Sequence, residues 1–289
     1  MKPLDSFTIT DAVLESMDRC PDARLRTVMG SLVRHLHDFA REVKLTEDEW
    51  WHGIRFLTDA GHITDDKRQE FILLSDVLGL STLVMAQNNS KPAGCTEATV
   101  FGPFFVEGAP MVEHGADIAN GAKGAPCFVQ GRVTGLDGEP VTHALVDVWQ
   151  ADEGGFYDVQ KPDPSLSEHR ARAQLRTDAD GRYHFRSIVA HEYPIPHDGP
   201  VGALLDAVGR HPWRPAHLHF MIQAEGYERL ITHVFRRGGR YLESDAVFGV
   251  RPSLIAEWER HETGDPAKPP VYYTLDYDFV LNRSTPSAD

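Results

Sequence analysis

Four side chains in this chain have the types and spacing to hold a metal ion. His217 and His219 lie in Arg214-Pro215-Ala216-His217-Leu218-His219-Phe220. Tyr157 lies in Gly154-Gly155-Phe156-Tyr157-Asp158, and Tyr193 in His191-Glu192-Tyr193-Pro194-Ile195-Pro196. Residues two apart on a strand point to one face, so both imidazoles aim at one point while Leu218 and Phe220 face a core. Neutral imidazole is the commonest protein metal ligand. A tyrosine phenolate is a hard anionic donor and suits a highly charged ion that lowers the phenol pKa from about 10. Ferric iron fits this set, because two phenolates stabilise Fe(III) and phenolate ligation of iron has precedent. Taken alone, a His-x-His pair is more often structural than metal-binding. Both tyrosines, however, fall in loops that follow strands, where catalytic residues concentrate.

The elements that must position these residues change character along the chain. Up to about residue 95 the pattern is helical. Leu25, Val28, Met29, Leu32, Val33, Leu36 and Phe39 recur at helical spacing after an N-cap at Asp22. Thr46-Glu47-Asp48-Glu49 before Trp50-Trp51 forms a capping-box pattern. A third long helix is expected from Thr64-Asp65-Asp66 to about Val84, apolar on more than one face and buried on several sides. After Asn88-Asn89-Ser90-Lys91-Pro92, short β-branched and aromatic segments alternate with turns. They cover 128–133, 145–149, 183–188, 217–222, 230–235 and 272–281, with turns at Asp137-Gly138 and Asp180-Gly181. Strands without intervening helices predict an antiparallel sandwich. The loop through the 190s to 210s is rich in Pro and Gly, with a hint of helix at 204–208. Long ordered loops in compact domains are usually functional. Residues 284–289 are expected to fray. The expected organisation is therefore mainly β with an α-helical N-terminal part: a helical dimerisation and linker domain at 1–95, and a β-sandwich catalytic domain at 96–289.

The residues quoted, together with Leu145-Val146-Asp147-Val148-Trp149-Gln150-Ala151-Asp152 and Asp178-Ala179-Asp180-Gly181-Arg182-Tyr183-His184-Phe185, resemble the intradiol ring-cleaving dioxygenases in order, spacing and flanks over nearly the whole chain. The resemblance implies one non-haem Fe(III) per subunit. Tyr157 and His217 would be equatorial ligands, Tyr193 and His219 axial ones, with a hydroxide as fifth. It further implies that a vicinal diol binds as a dianion, that Tyr193 leaves the metal as a base, and that O2 is added between the hydroxylated carbons. Arg214, three residues before His217, would stabilise negative charge developing on the ring. The same likeness makes Val100, Phe101, Gly102, Pro103 and Phe104 one wall of the substrate pocket, completed by Leu73, Asp76, Ile195, Pro196, Arg214 and Val250. The stripe from Leu25 to Phe39, with the second helix beginning near Thr46, has more apolar surface than one sandwich edge covers, so a homodimer through the N-terminal helices is expected; the resemblance adds a lipid at that interface.

Three features point within that family to enzymes for hydroxyquinol rather than catechol. They are Leu73-Leu74-Ser75-Asp76, the string from Trp149 to Gln160, and Ile231-Thr232-His233-Val234-Phe235, whose His233 stands where catechol enzymes usually carry Gln. Asp76 is an acid in an apolar stretch. A buried carboxylate without a partner is costly, so it either caps a backbone group or meets a polar substrate group such as the third hydroxyl of hydroxyquinol. Catechol or chlorocatechol cleavage is the alternative within the class. A metal-free transthyretin-like binding sandwich and a zinc hydrolase are alternatives outside it, although two tyrosines are poor company for zinc.

Composition narrows the partners. The formal net charge of −14 argues against nucleic acid or an anionic membrane. The run from Phe71 to Met85 is too short and too polar to span a bilayer. Cys20, Cys95 and Cys127 make no disulfide framework, and the first residues lack an apolar signal region, so a reducing cytoplasm is the expected setting. His35, His37 and His52 read as surface or interface histidines, and no Walker loop, His-Glu-x-x-His or Gly-x-Ser-x-Gly is present.

Overall fold

A computed structural model describes residues 4–65, 68–161, 163–265, 267 and 269–284. The chain divides into two compact units, Met1–His62 and Ile63–Asp289.

The first unit holds α1 (Ile9–Ser16), α2 (Ala23–Glu42) and most of α3 (Glu47–Ile63). The Asp22 carboxylate accepts the Leu25 N–H at 2.9 Å, the expected cap of α2. Thr46 and Glu49 form the expected capping box: the Glu49 carboxylate accepts the Thr46 N–H at 2.9 Å and the Thr46 hydroxyl accepts the Glu49 N–H at 3.3 Å. This unit has little interior. Gly30 is the buried residue of α2 and Ala60 that of α3.

The second unit opens with α4 (Glu70–Val77) and α5 (Leu80–Asn88) in place of the single long helix expected. Gly79 has φ +75°, a left-handed conformation that ends α4, and the two axes differ by 79°. The expected start at Thr64-Asp65-Asp66 is also displaced, since α4 begins at Glu70; Asp66 lies outside the described residues. Nor is α4 buried on several sides. It buries Glu70, Leu73, Asp76 and Val77, one face at helical spacing, and exposes Phe71 and Ile72. No single helix among the described residues is long and apolar enough to cross a membrane.

The rest is β1 (Pro126–Gly135), β2 (Leu145–Trp149), β3 (Arg172–Arg176), β4 (Arg182–Ile188), β5 (Tyr193–Pro194), α6 (Pro200–Ala207), β6 (Trp213–Arg214), β7 (His217–Gln223), β8 (Leu230–Arg236), β9 (Ile255–Ala256), β10 (Glu259–Glu262), β11 (Val271–Asp276) and β12 (Phe279–Leu281). One sheet runs β10-β11-β1-β12 with β4 also on β1; the other runs β3-β2-β7-β8-β9. The sheets are mixed rather than antiparallel. β1 pairs in parallel with β11 and β12, and β8 with β9. The strand expected over 272–281 is interrupted because the Asp278 carboxylate takes the Arg132 N–H at 2.7 Å and the Tyr277 N–H goes to the Gln130 carbonyl at 3.0 Å. The chain there crosses close over Gly131, where an added Cβ would lie 1.8 Å from the Tyr277 carbonyl oxygen. The inner faces meet in a core that includes Val129, Val133, Val146, Val148, Leu175, Phe185, Phe279 and, as the alternation on β7 requires, Leu218 and Phe220. The fraying expected at 284–289 falls, beyond Ser284, outside the described residues.

Candidate metal centre and active site

β7 turns His217 and His219 away from the core, and sheet register supplies their neighbours. His219 lies opposite Trp149 of β2 and His233 of β8. The Trp149 ring stacks on His219 with centroids 4.6 Å apart. The His233 ring stacks on His217 at 4.6 Å and meets His219 at 4.0 Å. The short β5–β6 ladder pairs Tyr193 with Arg214. Tyr157 stands on the turn after β2, where its N–H donates to Gln160 Oε1 at 2.9 Å. The next residue, Asp158, forms a buried ion pair with Arg172 of β3 at 2.7 Å.

The donors converge. Tyr157 Oη is 2.9 Å from His219 Nε2, which is 3.1 Å from His217 Nε2. Arg214 Nη1 is 3.3 Å from both His217 Nε2 and Tyr193 Oη, and the two tyrosine rings are 5.3 Å apart, edge to face. His217 Nδ1 is 2.7 Å from the Pro215 carbonyl, so its proton sits there and its Nε2 lone pair faces the cluster. Burial, then the Arg214 charge, pushes His217 down to about 3; burial and His217 hold His219 far below its usual range. Both imidazoles are therefore neutral and ligand-ready. Burial, then Tyr193, pushes the Tyr157 phenol well up, so a cation is needed to ionise it. Two imidazole lone pairs and a phenol oxygen, buried and 2.9–3.1 Å apart, have the spacing of neighbouring donors around one ion with bonds of about 2.1 Å. His219 Nδ1 is buried and has no hydrogen-bond partner among the described residues. The donor set fits a hard cation, and His217, His219 and His233 also stand as a group whose ligand atoms lie within 4.8 Å of one another.

The expected substrate wall lies against this cluster. Gly102 has φ +78°, and a Cβ there would lie 3.3 Å from His219 Cε1. Phe104 stacks on Tyr157 at 4.4 Å, and Phe101 meets Trp149 edge-on at 6.0 Å. Val100 is buried, while Phe101 and Pro103 are exposed at the rim. Ile195 is buried and Pro196 partly so, in the turn after Tyr193; partly buried Val250 follows Gly249, which abuts Arg214. Leu73 and Asp76 share the buried face of α4. Burial raises the Asp76 pKa, opposed by a hydrogen bond with Ser81 and by the charge of Arg214. Sequence reasoning did not single out Asp245, which pairs with Arg214 at 3.1 Å, the Asp158–Arg172 pair, or Trp149 as a stacking partner.

A family model described as "Dioxygenase" matches residues 100–283, and one described as "Catechol dioxygenase N terminus" matches 22–96. The chain belongs to the intradiol ring-cleaving dioxygenases, a family of non-haem iron enzymes. It is 62% identical to a 6-chlorohydroxyquinol 1,2-dioxygenase of Cupriavidus pinatubonensis, over 98% of this chain and 99% of that one. It is 55% identical to a hydroxyquinol 1,2-dioxygenase of Nocardioides simplex, over 89% and 87% of the two chains. The crystal structure of a hydroxyquinol 1,2-dioxygenase from Pseudomonas putida superposes with a TM-score of 0.90 at 48% identity, covering 96% of this chain and 99% of that one.

Proposed function

We propose that this enzyme cleaves hydroxyquinol (1,2,4-trihydroxybenzene) with O2 between its vicinal hydroxylated carbons. Both oxygen atoms enter the product, 3-hydroxy-cis,cis-muconate, the enol form of maleylacetate. The observation that carries the choice of substrate is a buried carboxylate, Asp76, on the helix face turned into the second unit and within electrostatic range of Arg214. The names of the relatives at 62% and 55% identity support it.

In this reading Tyr157, Tyr193, His217 and His219 hold one Fe(III) per subunit. When bound, the ion supplies a hard Lewis acid that keeps the phenolates ionised and draws charge from a coordinated diol. Tyr193 Oη takes a proton from a substrate hydroxyl, with Arg214 Nη1 3.3 Å from that oxygen. Arg214 then faces the negative charge that develops on the ring. Gly102 and Phe104 hold the ring against the donors, and the Asp76 carboxylate accepts a hydrogen bond donated by the third hydroxyl.

The test is oxygen uptake with hydroxyquinol, 6-chlorohydroxyquinol, catechol and chlorocatechols as substrates. Hydroxyquinol, with or without chlorine, is expected to give the highest kcat/KM. A higher value for catechol would replace this reading with that of a catechol or chlorocatechol 1,2-dioxygenase.

A further inference from the structure

Arg214 is buried to 3% exposure, and its guanidinium reaches three residues of the candidate centre. A charge buried so deeply must be paired, and a charge meant to meet a developing anion must also be aimed. One carboxylate does both. Asp245 Oδ1 accepts from Arg214 Nε at 3.1 Å and Oδ2 from Nη2 at 3.3 Å, a two-point grip that fixes the guanidinium plane. Nη1 is left to point at Tyr193 Oη and His217 Nε2.

Asp245 is itself held. Its carboxylate accepts the Val247 N–H at 3.3 Å and the Gly249 N–H at 2.9 Å. The segment that carries it bears two non-glycine residues in the left-handed region, Tyr241 at φ +66° and Phe248 at φ +57°, a conformation sustained only where surrounding contacts over-determine it. Gly249 closes the arrangement. A Cβ there would lie 2.9 Å from Arg214 Nη2 and 3.1 Å from Asp245 Oδ2. Its carbonyl is pinned by the Thr99 hydroxyl at 2.5 Å, next to the substrate wall.

We propose that Asp245 is the positioning residue of the reaction, aiming Arg214 at the substrate, and that Gly249 lacks a side chain because this ion pair occupies the space. The inference rests on the role given to Arg214 above.

The test compares iron-replete Asp245→Asn, Gly249→Ala and Arg214→Ala enzymes. Gly249→Ala displaces the pair without changing any charge. Asp245→Asn and Gly249→Ala are each expected to lower kcat by on the order of ten- to a hundredfold with a smaller change in KM, since misplacement acts on the transition state. In the metal-free wild-type protein, the Arg214 Nε–H proton should give a slowly exchanging NMR signal that shifts in both variants. A kcat within about twofold of wild type in either folded, iron-replete variant overturns the proposal. So does an Arg214 Nε–H proton that exchanges with solvent as fast as a surface arginine, a result that needs no variant to fold. If Arg214→Ala itself leaves kcat unchanged, the role of Arg214 in the proposed function fails instead. Loss of kcat in Arg214→Ala alone removes only the positioning role.

Discussion

In the role proposed for it, Asp76 serves function at the expense of stability. Burial disfavours its charge, so its pKa in the folded protein lies above the usual 3.8. Between the unfolded and the folded value the unfolded chain holds fewer protons. The contribution of Asp76 to stability is therefore full below the unfolded pKa and lost as pH rises through the folded one. Asp76→Asn is expected to raise the Tm at pH 7 and above, with the gain fading as pH falls towards 4; calorimetry at several pH values checks this. The same carboxylate should select substrate. A site that pairs a substrate hydroxyl discriminates against the analogue lacking it, so Asp76→Ala should narrow the hydroxyquinol preference over catechol by about 1–3 kcal/mol, roughly ten- to a hundredfold in relative kcat/KM, with iron retained. An unchanged ratio in an iron-replete variant would make Asp76 a structural cap. His217→Ala or His219→Ala, by contrast, should lose iron, the visible tyrosinate band and activity together; full activity without iron would sink the ferric reading. The converging donors were legible in the sequence because period-two alternation and turn residues are local signals. Asp245 and the stacking Trp149 were not, because a distant loop brings Asp245 to Arg214 from 31 residues away in the chain, and sheet register brings Trp149 to His219 from 70 residues away.

At the scale of elements, β1, β2, β4, β7 and β8 followed from β-branched and aromatic segments between turn signals, and the caps of α2 and α3 followed from Asp22 and the Thr46–Glu49 pair; β3, with its alternating Arg and Gln, and the short or charged β5, β6, β9 and β10 carried no such signal. The parallel pairings did not follow either, since nothing local tells β11 and β12 to return beside β1 across more than a hundred residues. Gly79 in an apolar run looked like tolerated helix, and only its left-handed backbone shows that it separates α4 from α5. That break lets α4 present Asp76 without α5 continuing along the same axis. The crossing at Gly131 can be tested against a turn. Gly131→Ala places a methyl 1.8 Å from the Tyr277 carbonyl, whereas a Cβ at Gly138, φ +82°, meets open space. Gly138→Ala should cost about 1–2 kcal/mol from backbone conformation alone. Gly131→Ala should cost more than about 3 kcal/mol or prevent folding, because backbone rather than a flexible side chain must move. Equal denaturation midpoints for the two variants would show that β1 and the 277–278 crossing are not locked together.

For the whole molecule, the first unit poses a question that its own packing leaves open. Along α2, Leu25, Val28, Leu32, Leu36 and Phe39 are between 44% and 55% exposed, and along α3 so are Trp50, Trp51 and Leu57 to a similar degree. A chain with a net charge of −14 has no general solubility reason to present such a stripe, and contiguous apolar faces mark interaction surfaces. We propose that two copies join through this unit as a homodimer, with a two-fold, self-complementary interface as the commonest arrangement. A lipid chain between the helices would cover what protein does not. Leu32→Glu with Leu36→Glu places two charges in the middle of the stripe, where they are far from the metal donors in sequence. The wild-type enzyme is expected to sediment as a dimer at micromolar concentration. The double variant should sediment as a monomer or aggregate while keeping its iron, since the four residues proposed to hold it, Tyr157, Tyr193, His217 and His219, all lie in the second unit. Deleting residues 1–60 should have the same effect on association. Organic extraction of the wild-type protein, followed by mass spectrometry, should recover a lipid in proportion to dimer. A wild-type monomer at micromolar concentration would rule the dimer out; a dimer that survives both charges and the deletion would place the interface on the second unit, where Leu78, Leu80, Leu83 and Val84 form the next exposed apolar group.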